Sequence, residues 1–383
     1  RVAVINQAVT EKYARGFINL AYTALYDAYV YPVINASAFY LDDFPSPVPA
    51  GNAEYIRRDY GVDVASFYTN VWWPKMMEFE KRFGIIHTGL IIENYSDEVE
   101  APLEGNGATA RFLKFGNMLL NNGGELGFHG YNHMPLCLEG VDEDKKYGAY
   151  RLWKSGKDAV QELVDFSEEL FPDNDFCVYV PPSNILSEEG RKELIKAAPQ
   201  IKVIASTFLK DAENIAYEQE FRVEEDGVIS TPRITSGCVI DDYQMLVALS
   251  ELNYQYVQSH FTHPDDTLDE DRGAALGWEY MSGCLEDYIE WVYESAPSIC
   301  NVTGSGMGRA VEKYDKLTVQ REYTDEGIRL RLGSFSGEAC FLVRISDGVI
   351  EGASGCSYEH ISGSMYLLTA DSDEIMIYIG GAR

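Results

Sequence analysis

Residues 123–135 read Gly123-Gly124-Glu125-Leu126-Gly127-Phe128-His129-Gly130-Tyr131-Asn132-His133-Met134-Pro135. A short apolar run between glycines predicts a β-strand that opens into a loop. Two of the 6 histidines of the chain stand four residues apart in this loop, and this spacing allows two imidazoles to bind one metal ion. The same spacing also arises by chance, so the rest of the chain has to supply the remaining parts of a site.

The composition is that of an acidic globular protein of 383 residues. Lys and Arg total 31 against 61 Asp and Glu, which gives a net charge of −30. Such a surface repels phosphate backbones, so no nucleic-acid partner is expected. No apolar run approaches the ~20 residues of a membrane-spanning helix, so the sequence is not expected to be transmembrane. The 7 cysteines form no C-x-x-C pair, and their odd number leaves at least one thiol unpaired.

Strand-like and helix-like stretches alternate along most of the chain. Predicted strands cover residues 33–41, 85–92, 176–180, 201–205, 227–233 and 254–258, in addition to the strand before His129. This alternation favours a parallel sheet with reactive loops at the carboxyl ends of its strands, and seven or so units suit a closed or nearly closed α/β barrel. After residue 314 short alternating runs predict antiparallel β structure. The expected domains are therefore a barrel at 1–314 and a small β-sandwich-like module at 315–383.

The predicted strand ends carry the residue types that amide hydrolysis needs. Asp42 and Asp43 follow one strand, while His260 and His263 follow another. One carboxylate and two imidazoles leave a metal with an open position, as in catalytic zinc sites, and water in that position becomes a nucleophile near neutral pH. A second carboxylate can act as general base, and a histidine across the site can protonate the leaving amine.

The order of these residues resembles the motifs of the polysaccharide deacetylase superfamily, the NodB-like barrels similar to carbohydrate esterase family 4. The paired aspartates look like its first motif and the His129 to His133 stretch looks like its second. Residues 178–183 are similar to the third motif, and the strand before His260 is similar to the last. The resemblance extends from residue 33 to about residue 312 and implies a NodB-like (β/α)7 distorted barrel.

The resemblance also implies a role for each matching residue. Asp42 would be the general base and His260 the general acid. The metal ligands would be Asp43, His129 and His133, and the divalent metal would most readily be Zn2+. His263, three residues beyond His260, is an alternative acid or a residue that orients its neighbour. The acidic run at 265–271 is interpreted as a solvated surface.

The third motif departs from the family pattern. Its usual arginine is absent, since Tyr179 or Val180 stands in that place, and Arg233 near the end of another strand is a candidate for the missing charge. A backbone N–H of this motif helps to bind the oxyanion in the family. Because Pro181 and its neighbour Pro182 have no N–H, Ser183 is the expected donor.

The implied activity is metal-dependent removal of N-acetyl groups from an amino-sugar polysaccharide or oligosaccharide, at an extracytoplasmic location by analogy. Two alternatives stay open. The missing arginine leaves room for a catalytically silent carbohydrate-binding protein on the same barrel, and a glycoside hydrolase can share a similar barrel. A glycoside hydrolase needs a carboxylate pair at a characteristic spacing, which nothing after Asp43 supplies.

Overall fold

The computed structural model describes residues 1–6, 10–49, 51–143 and 145–381. It confirms the predicted α/β class, with one nine-stranded sheet, surrounding helices and two further β-sheets. The helices are α1 Arg15–Thr23, α2 Glu54–Tyr60, α3 Val64–Phe67, α4 Trp73–Phe83, α5 Ala110–Asn121, α6 Gly156–Leu170, α7 Glu188–Ala197, α8 Asp242–Tyr254, α9 Trp278–Ser295 and α10 Gly304–Lys316. The strands are β1 Ala28–Val33, β2 Ala36–Leu41, β3 His87–Ile92, β4 Glu125–Gly130, β5 Val178–Tyr179, β6 Val203–Ile204, β7 Arg222–Val223, β8 Ile229–Ser230, β9 Thr235–Ser236, β10 Val257–Thr262, β11 Thr318–Thr324, β12 Gly327–Gly333, β13 Ala339–Ile345, β14 Val349–Ser354, β15 Cys356–Ser362, β16 Met365–Ala370 and β17 Glu374–Gly380.

The nine-stranded sheet has the order β7-β8-β6-β5-β4-β3-β2-β10-β9. Its neighbouring strands pair in parallel, except that β7 and β8 are antiparallel. Strands β2 and β3 are buried along their whole length, as expected in a parallel sheet that is covered on both faces. Parallel pairing brings the carboxyl ends of β2, β4 and β10 to the same edge.

Residues 229–236 pair with strands near both ends of the strand order of the nine-stranded sheet. Within this segment β8 pairs with β6, and β9 pairs with β10. Between them Arg233 forms a bridge with Thr207, and the Arg233 N–H donates to the carbonyl of Ser206 at 2.8 Å. The sheet therefore curls enough for this segment to bring Arg233 among the strand ends.

Aromatic packing fixes the loop that follows β2. Trp72 and Trp73 are each 1% exposed, and the ring of Phe44 stacks on Trp73 with 4.9 Å between centroids. The Phe44 N–H donates to the carbonyl of Leu90 in β3 at 2.9 Å. These contacts hold the residues immediately before Phe44 at the sheet edge. No helix in the described part of the chain combines the length and the apolar content needed to cross a bilayer.

The C-terminal region is all β, with two antiparallel four-stranded sheets of order β1-β13-β16-β15 and β11-β12-β17-β14. Residues of β12 alternate between buried and exposed, as expected for a strand with one face in a core. The inward side chains include Leu330, Phe341 and Leu368, which form a core of their own. One sheet also contains β1, which pairs with β13 although a division at residue 314 leaves it in the barrel domain.

A buried carboxylate lies in α8. Glu251 is 0% exposed, and neither of its carboxylate oxygens has a hydrogen-bond partner among the described residues. Burial raises the pKa of Glu251 to about 8, although Arg15 and Lys12 oppose this shift. The folded protein therefore holds Glu251 protonated at neutral pH.

Replacing Glu251 with Gln is expected to stabilise the protein increasingly as the pH rises from 5 to 8. The folded pKa of about 8 lies above the ordinary value of 4.5, so wild-type stability falls with pH between these values and levels off above the higher one. The slope is at most about 1.4 kcal/mol per pH unit. Thermal unfolding of wild type, Glu251→Gln and the exposed control Glu322→Gln measures the effect. A Tm difference between wild type and Glu251→Gln that stays constant with pH would contradict this prediction.

Candidate active site

Two aspartates occupy the end of β2. The N–H of Asp42 donates to the carbonyl of Thr262 at 3.0 Å, which ties this position to the end of β10. Asp43 has φ of 52°, in the left-handed region that Asp tolerates better than most residues. Because the backbone turns at Asp43, the two neighbouring carboxylates enter different surroundings. They are 1% and 3% exposed respectively.

Asp43 forms a cluster with two histidines from β4 and its loop. One potential ligand atom from each of Asp43, His129 and His133 lies within 4.8 Å of the others. The Nε2 atom of His129 is 3.4 Å from Oδ1 of Asp43, and both atoms are buried without a hydrogen-bond partner among the described residues. Unsatisfied buried polar atoms that converge on one point fit a cation as the missing partner.

The protonation of this cluster also suits a cation. Nδ1 of His129 donates to the carbonyl of Val180 at 2.8 Å, which leaves the Nε2 lone pair free. Burial lowers the pKa of His129 to about 3 and also lowers that of His133, so both imidazoles are neutral. Burial raises the pKa of Asp43 to about 7, because the buried carboxylate has too little positive charge beside it.

Asp42 has the positive partner that Asp43 lacks. Nη1 of Arg233 lies 2.6 Å from one carboxylate oxygen of Asp42 and 2.5 Å from the other. Burial acts to raise the pKa of Asp42, but the opposing effects of Arg233, His129 and His263 together outweigh burial and lower it. Arg233 is only 2% exposed, and its guanidinium carbon lies 3.8 Å from the centroid of the Phe261 ring. Its Nη2 donates to Oδ1 of Asn184.

A histidine–aspartate pair lies on the opposite side of Asp42. Nε2 of His263 is 3.7 Å from Oδ2 of Asp42, and its Nδ1 is 3.3 Å from Oδ1 of Asp266. Burial acts to lower the pKa of His263, but Asp266, with smaller contributions from Asp42 and Asp43, raises it to about 9. His263 is therefore a buried imidazolium held between two carboxylates.

Asp265 joins His263 and Asp266 in a second group with metal-ligand spacing. Arg272 supplies a positive charge to this group, since its Nη1 donates to Asp266 at 2.9 Å and lies 3.4 Å from Asp265. A guanidinium in this position repels a further cation. We therefore interpret the group as an ion-pair network around His263 rather than as a second metal site.

His260 lies apart from these residues. Its Nδ1 is 2.8 Å from Oγ1 of Thr235, and its ring packs against Phe39 and against Tyr288 of α9. Since successive strand residues point to opposite faces, His260 faces the helix layer while Phe261 faces Arg233. His260 is not among the residues that line the cavity beside Asp42, whereas His263 lines it and lies 3.7 Å from Asp42. Which of the two histidines is the acid stays a prediction.

Ser183 reaches the site on the loop after β5. It has φ of 53° and is followed by Asn184 with φ of 56°. A cavity of about 330 Å³ is lined by most of the site residues, whereas Asp43 lines a separate groove. The lining of the cavity comprises Asp42, His129, His133, Ser183, Asn184, Ser236, Gly237, Phe261, His263, Asp266 and Arg272.

Sequence reasoning missed Asp266 and Arg272, and it placed the loop that ends at Asn184 near the site without giving Asn184 a role. Asp266 belongs to the acidic run interpreted as solvated, yet it is 1% exposed. The signal that could have found it is local. His263 is followed by a proline and then, at the third helical position, by Asp266, whose Oδ2 accepts the His263 N–H at 3.1 Å. Asn184 and Arg272 carry no comparable signal.

The fold and these residues define an α/β protein with a candidate metal site at the carboxyl edge of a curled parallel sheet. The chain belongs to the family DUF2194, described as an uncharacterised protein conserved in bacteria, whose model matches residues 1–367. A search of curated proteins found no match.

Solved structures match this chain at low similarity. A candidate polysaccharide deacetylase from Mycobacterium smegmatis is 13% identical, with a TM-score of 0.38, over 71% of this chain and 93% of that one. The chitin deacetylase from the fungal pathogen Colletotrichum lindemuthianum is 11% identical, with a TM-score of 0.35, over 72% and 92%. The 4-alpha-glucanotransferase from Thermococcus litoralis is 13% identical, with a TM-score of 0.41, over 71% and 40%. Similarity at this level carries no argument about activity.

Replacing Arg233 with Met is expected to destabilise the protein by about 3–5 kcal/mol, because it removes the guanidinium that contacts both oxygens of the buried Asp42 carboxylate. The double variant Asp42→Asn/Arg233→Met should recover part of the loss. The control Arg329→Met removes an exposed ion pair with Glu322 and should cost less than about 1 kcal/mol. Urea unfolding measures all four proteins. Equal losses of unfolding free energy in Arg233→Met and Arg329→Met would contradict the importance of the buried pair.

Proposed function

We propose that this protein is a metal-dependent hydrolase that removes N-acetyl groups from an amino-sugar polymer. The observation that carries the proposal is the convergence, at the strand ends, of a ligand cluster, an arginine-held carboxylate and a histidine–aspartate pair. These are the parts that metal-assisted amide hydrolysis requires.

The ligand cluster of Asp43, His129 and His133 would hold the metal. Two imidazoles and one carboxylate are a donor set that suits Zn2+ and leaves a position open. When bound, such an ion polarises a carbonyl and lowers the pKa of bound water. The hydrogen bond from His129 to the Val180 carbonyl fixes the ring so that Nε2 faces Asp43.

Asp42 is placed to accept a proton from the attacking water. Arg233 contacts both of its oxygens and so fixes the orientation of the carboxylate. We propose Arg233, from another strand end, as the replacement for the arginine that the third motif lacks. This assignment weakens the main reason to favour a catalytically silent protein.

His263 is placed to deliver a proton to the leaving amine. Asp266 contacts Nδ1 of His263, which directs Nε2 toward the cavity and Asp42. Ser183 lines the same cavity, and its backbone N–H is the proposed donor to the oxyanion. In this assignment His260 supports the packing of β10 against α9.

An adjoining groove has room for sugar units beside the ligand cluster. Its volume is about 640 Å³, and it extends from Asp43 past Tyr68 and Tyr95. Pro47, Pro49 and other apolar residues form much of its wall. Aromatic rings suit the apolar C–H faces of sugars. Since such polymers occur outside the cytoplasm, the proposal includes an extracytoplasmic site of action.

Metal binding tests the ligand cluster directly. The wild-type protein is expected to bind one Zn2+ per chain, and His129→Ala should weaken binding by at least about 100-fold, since even outer residues of metal sites contribute 10–100-fold. The control His360→Ala changes a histidine far along the chain in β15. Isothermal titration calorimetry of the metal-free proteins gives the comparison. Undiminished zinc binding by His129→Ala would refute the cluster.

Activity is expected as acetate release from N-acetylated amino-sugar oligosaccharides without new reducing ends. Asp42→Asn should abolish it, and His263→Gln should lower kcat by about 10²–10⁴-fold because it removes the proton donor. The matched change His260→Gln should leave kcat within a few-fold of wild type. Acetate and reducing ends are quantified in the same reactions.

The other outcomes separate the alternatives. New reducing ends without acetate would indicate a glycoside hydrolase. Oligosaccharide binding without either product would indicate a catalytically silent protein. Loss of activity in His260→Gln but not in His263→Gln would identify His260 as the general acid.

A further inference from the structure

Two cysteines share a single hydrogen-bond donor at the junction between the nine-stranded sheet and the C-terminal sheets. Nδ2 of Asn35 lies 3.5 Å from Sγ of Cys300 and 3.5 Å from Sγ of Cys340. The two sulfur atoms are therefore separated by at most twice that distance. The two residues lie 40 positions apart in the sequence and follow no recognisable cysteine spacing, so only the fold reveals the pair.

Both cysteines are held by backbone pairing in separate parts of the molecule. The carbonyl of Cys300 accepts the N–H of Ser37 in β2 at 2.8 Å. Cys340 lies in β13, opposite Val33 of β1. Asn35 lies in the short connection between β1 and β2, so it belongs to neither strand and contacts both sulfurs.

The pair is accessible and has space around it. A cavity of about 230 Å³ is lined by Asn35, Cys300 and Cys340. Cys300 is exposed and Cys340 is partly buried. Asn35 is 6% exposed. Its Nδ2 contacts both sulfurs, while its Oδ1 has no hydrogen-bond partner among the described residues.

The geometry points to Cys300 and Cys340 as a disulfide-forming pair that links the barrel region to the C-terminal β-sheets when a small-molecule disulfide acts as oxidant. The Cys300 thiolate attacks one sulfur of the oxidant, forms a mixed disulfide and releases one thiolate. The Cys340 thiol then loses its proton to solvent and attacks the Cys300 sulfur, which releases the second thiolate. The two released thiolates take up protons, so two electrons and two protons pass from the protein to the oxidant.

The bond would join β13 to the segment after α9 and would close a loop that contains α10, β11 and β12. A cross-link over such a loop restricts the unfolded chain and raises stability. The inference is independent of the proposed hydrolase activity, because neither cysteine lines the cavity of the candidate active site.

The test treats the whole protein with oxidised glutathione at pH 8.5, because burial raises the pKa of both thiols and the thiolate is the nucleophile. Peptide mapping without reduction should yield a peptide pair linked through Cys300 and Cys340. Tm should rise by about 5 °C relative to the reduced protein. Adding a reductant should reverse both changes.

Variants identify the residues. Cys300→Ser, at an exposed position, should abolish the linked peptide and the rise in Tm, and Cys340→Ala should do the same. The matched control Cys356→Ser lies in β15 of the same sheet, separated from β13 by β16, and should leave both unchanged. The inference is overturned if oxidised wild type carries glutathione on Cys300 while Cys340 remains a free thiol, or if the linked peptide forms without any change in Tm.

Discussion

The buried ion pair between Asp42 and Arg233 is the contact on which the arrangement of the strand ends depends. Removing two charges from water costs several kcal/mol per ion, and close geometry with further partners is needed to offset that cost. Arg233 has such partners in the Ser206 carbonyl, the Asn184 side chain and the face of Phe261. One guanidinium therefore connects the end of β2 with the loops after β5 and β6 and with β10. The same contact orients a carboxylate and joins the strand ends.

Adjacent aspartates acquire opposite properties from this arrangement. Asp42 faces an arginine, which lowers its pKa, whereas Asp43 faces neutral imidazoles and has its pKa raised to about 7 by burial. The left-handed backbone at Asp43 separates them, although they are neighbours in the chain. Environments that differ this strongly for two carboxylates favour two chemical roles. Of the two, Asp42 is the one with a guanidinium as its direct hydrogen-bond partner among the described residues.

The sequence predicted the features that depend on local pattern. Parallel strands with polar ends place Asp42, Asp43, His129 and His133 together, because carboxyl ends of parallel strands share an edge. The face of β10 was not predictable in this way. The predicted strand ended at residue 258, whereas β10 continues to Thr262, and in a strand each added residue changes the face. His260 consequently turns toward α9, while His263 lies beyond the strand and enters the cavity.

Pairings between distant residues were the other part that the sequence did not reveal. Strand order suggests that Arg233 lies near the other strand ends. Its two contacts with the Asp42 carboxylate depend on the curvature of the sheet, which no local sequence pattern encodes. The contact of Asp266 with His263 was hidden in an acidic run that resembles an ordinary solvated surface. The predicted domain boundary at residue 314 likewise separated β1 from β13. Nothing in the sequence of residues 28–33 indicates that they pair with β13.

The pairing of β1 with β13 affects how the chain is made. Ala28 pairs with Ile345, so a ribosome completes this edge strand long before its partner strand exists. Until then β1 presents unpaired backbone groups, the kind of exposed edge that favours association with other chains. Contacts of such large sequence separation also form slowly. The sheet that contains β1 can be completed only after β13 has been synthesised, so its assembly depends on a segment that was made much earlier.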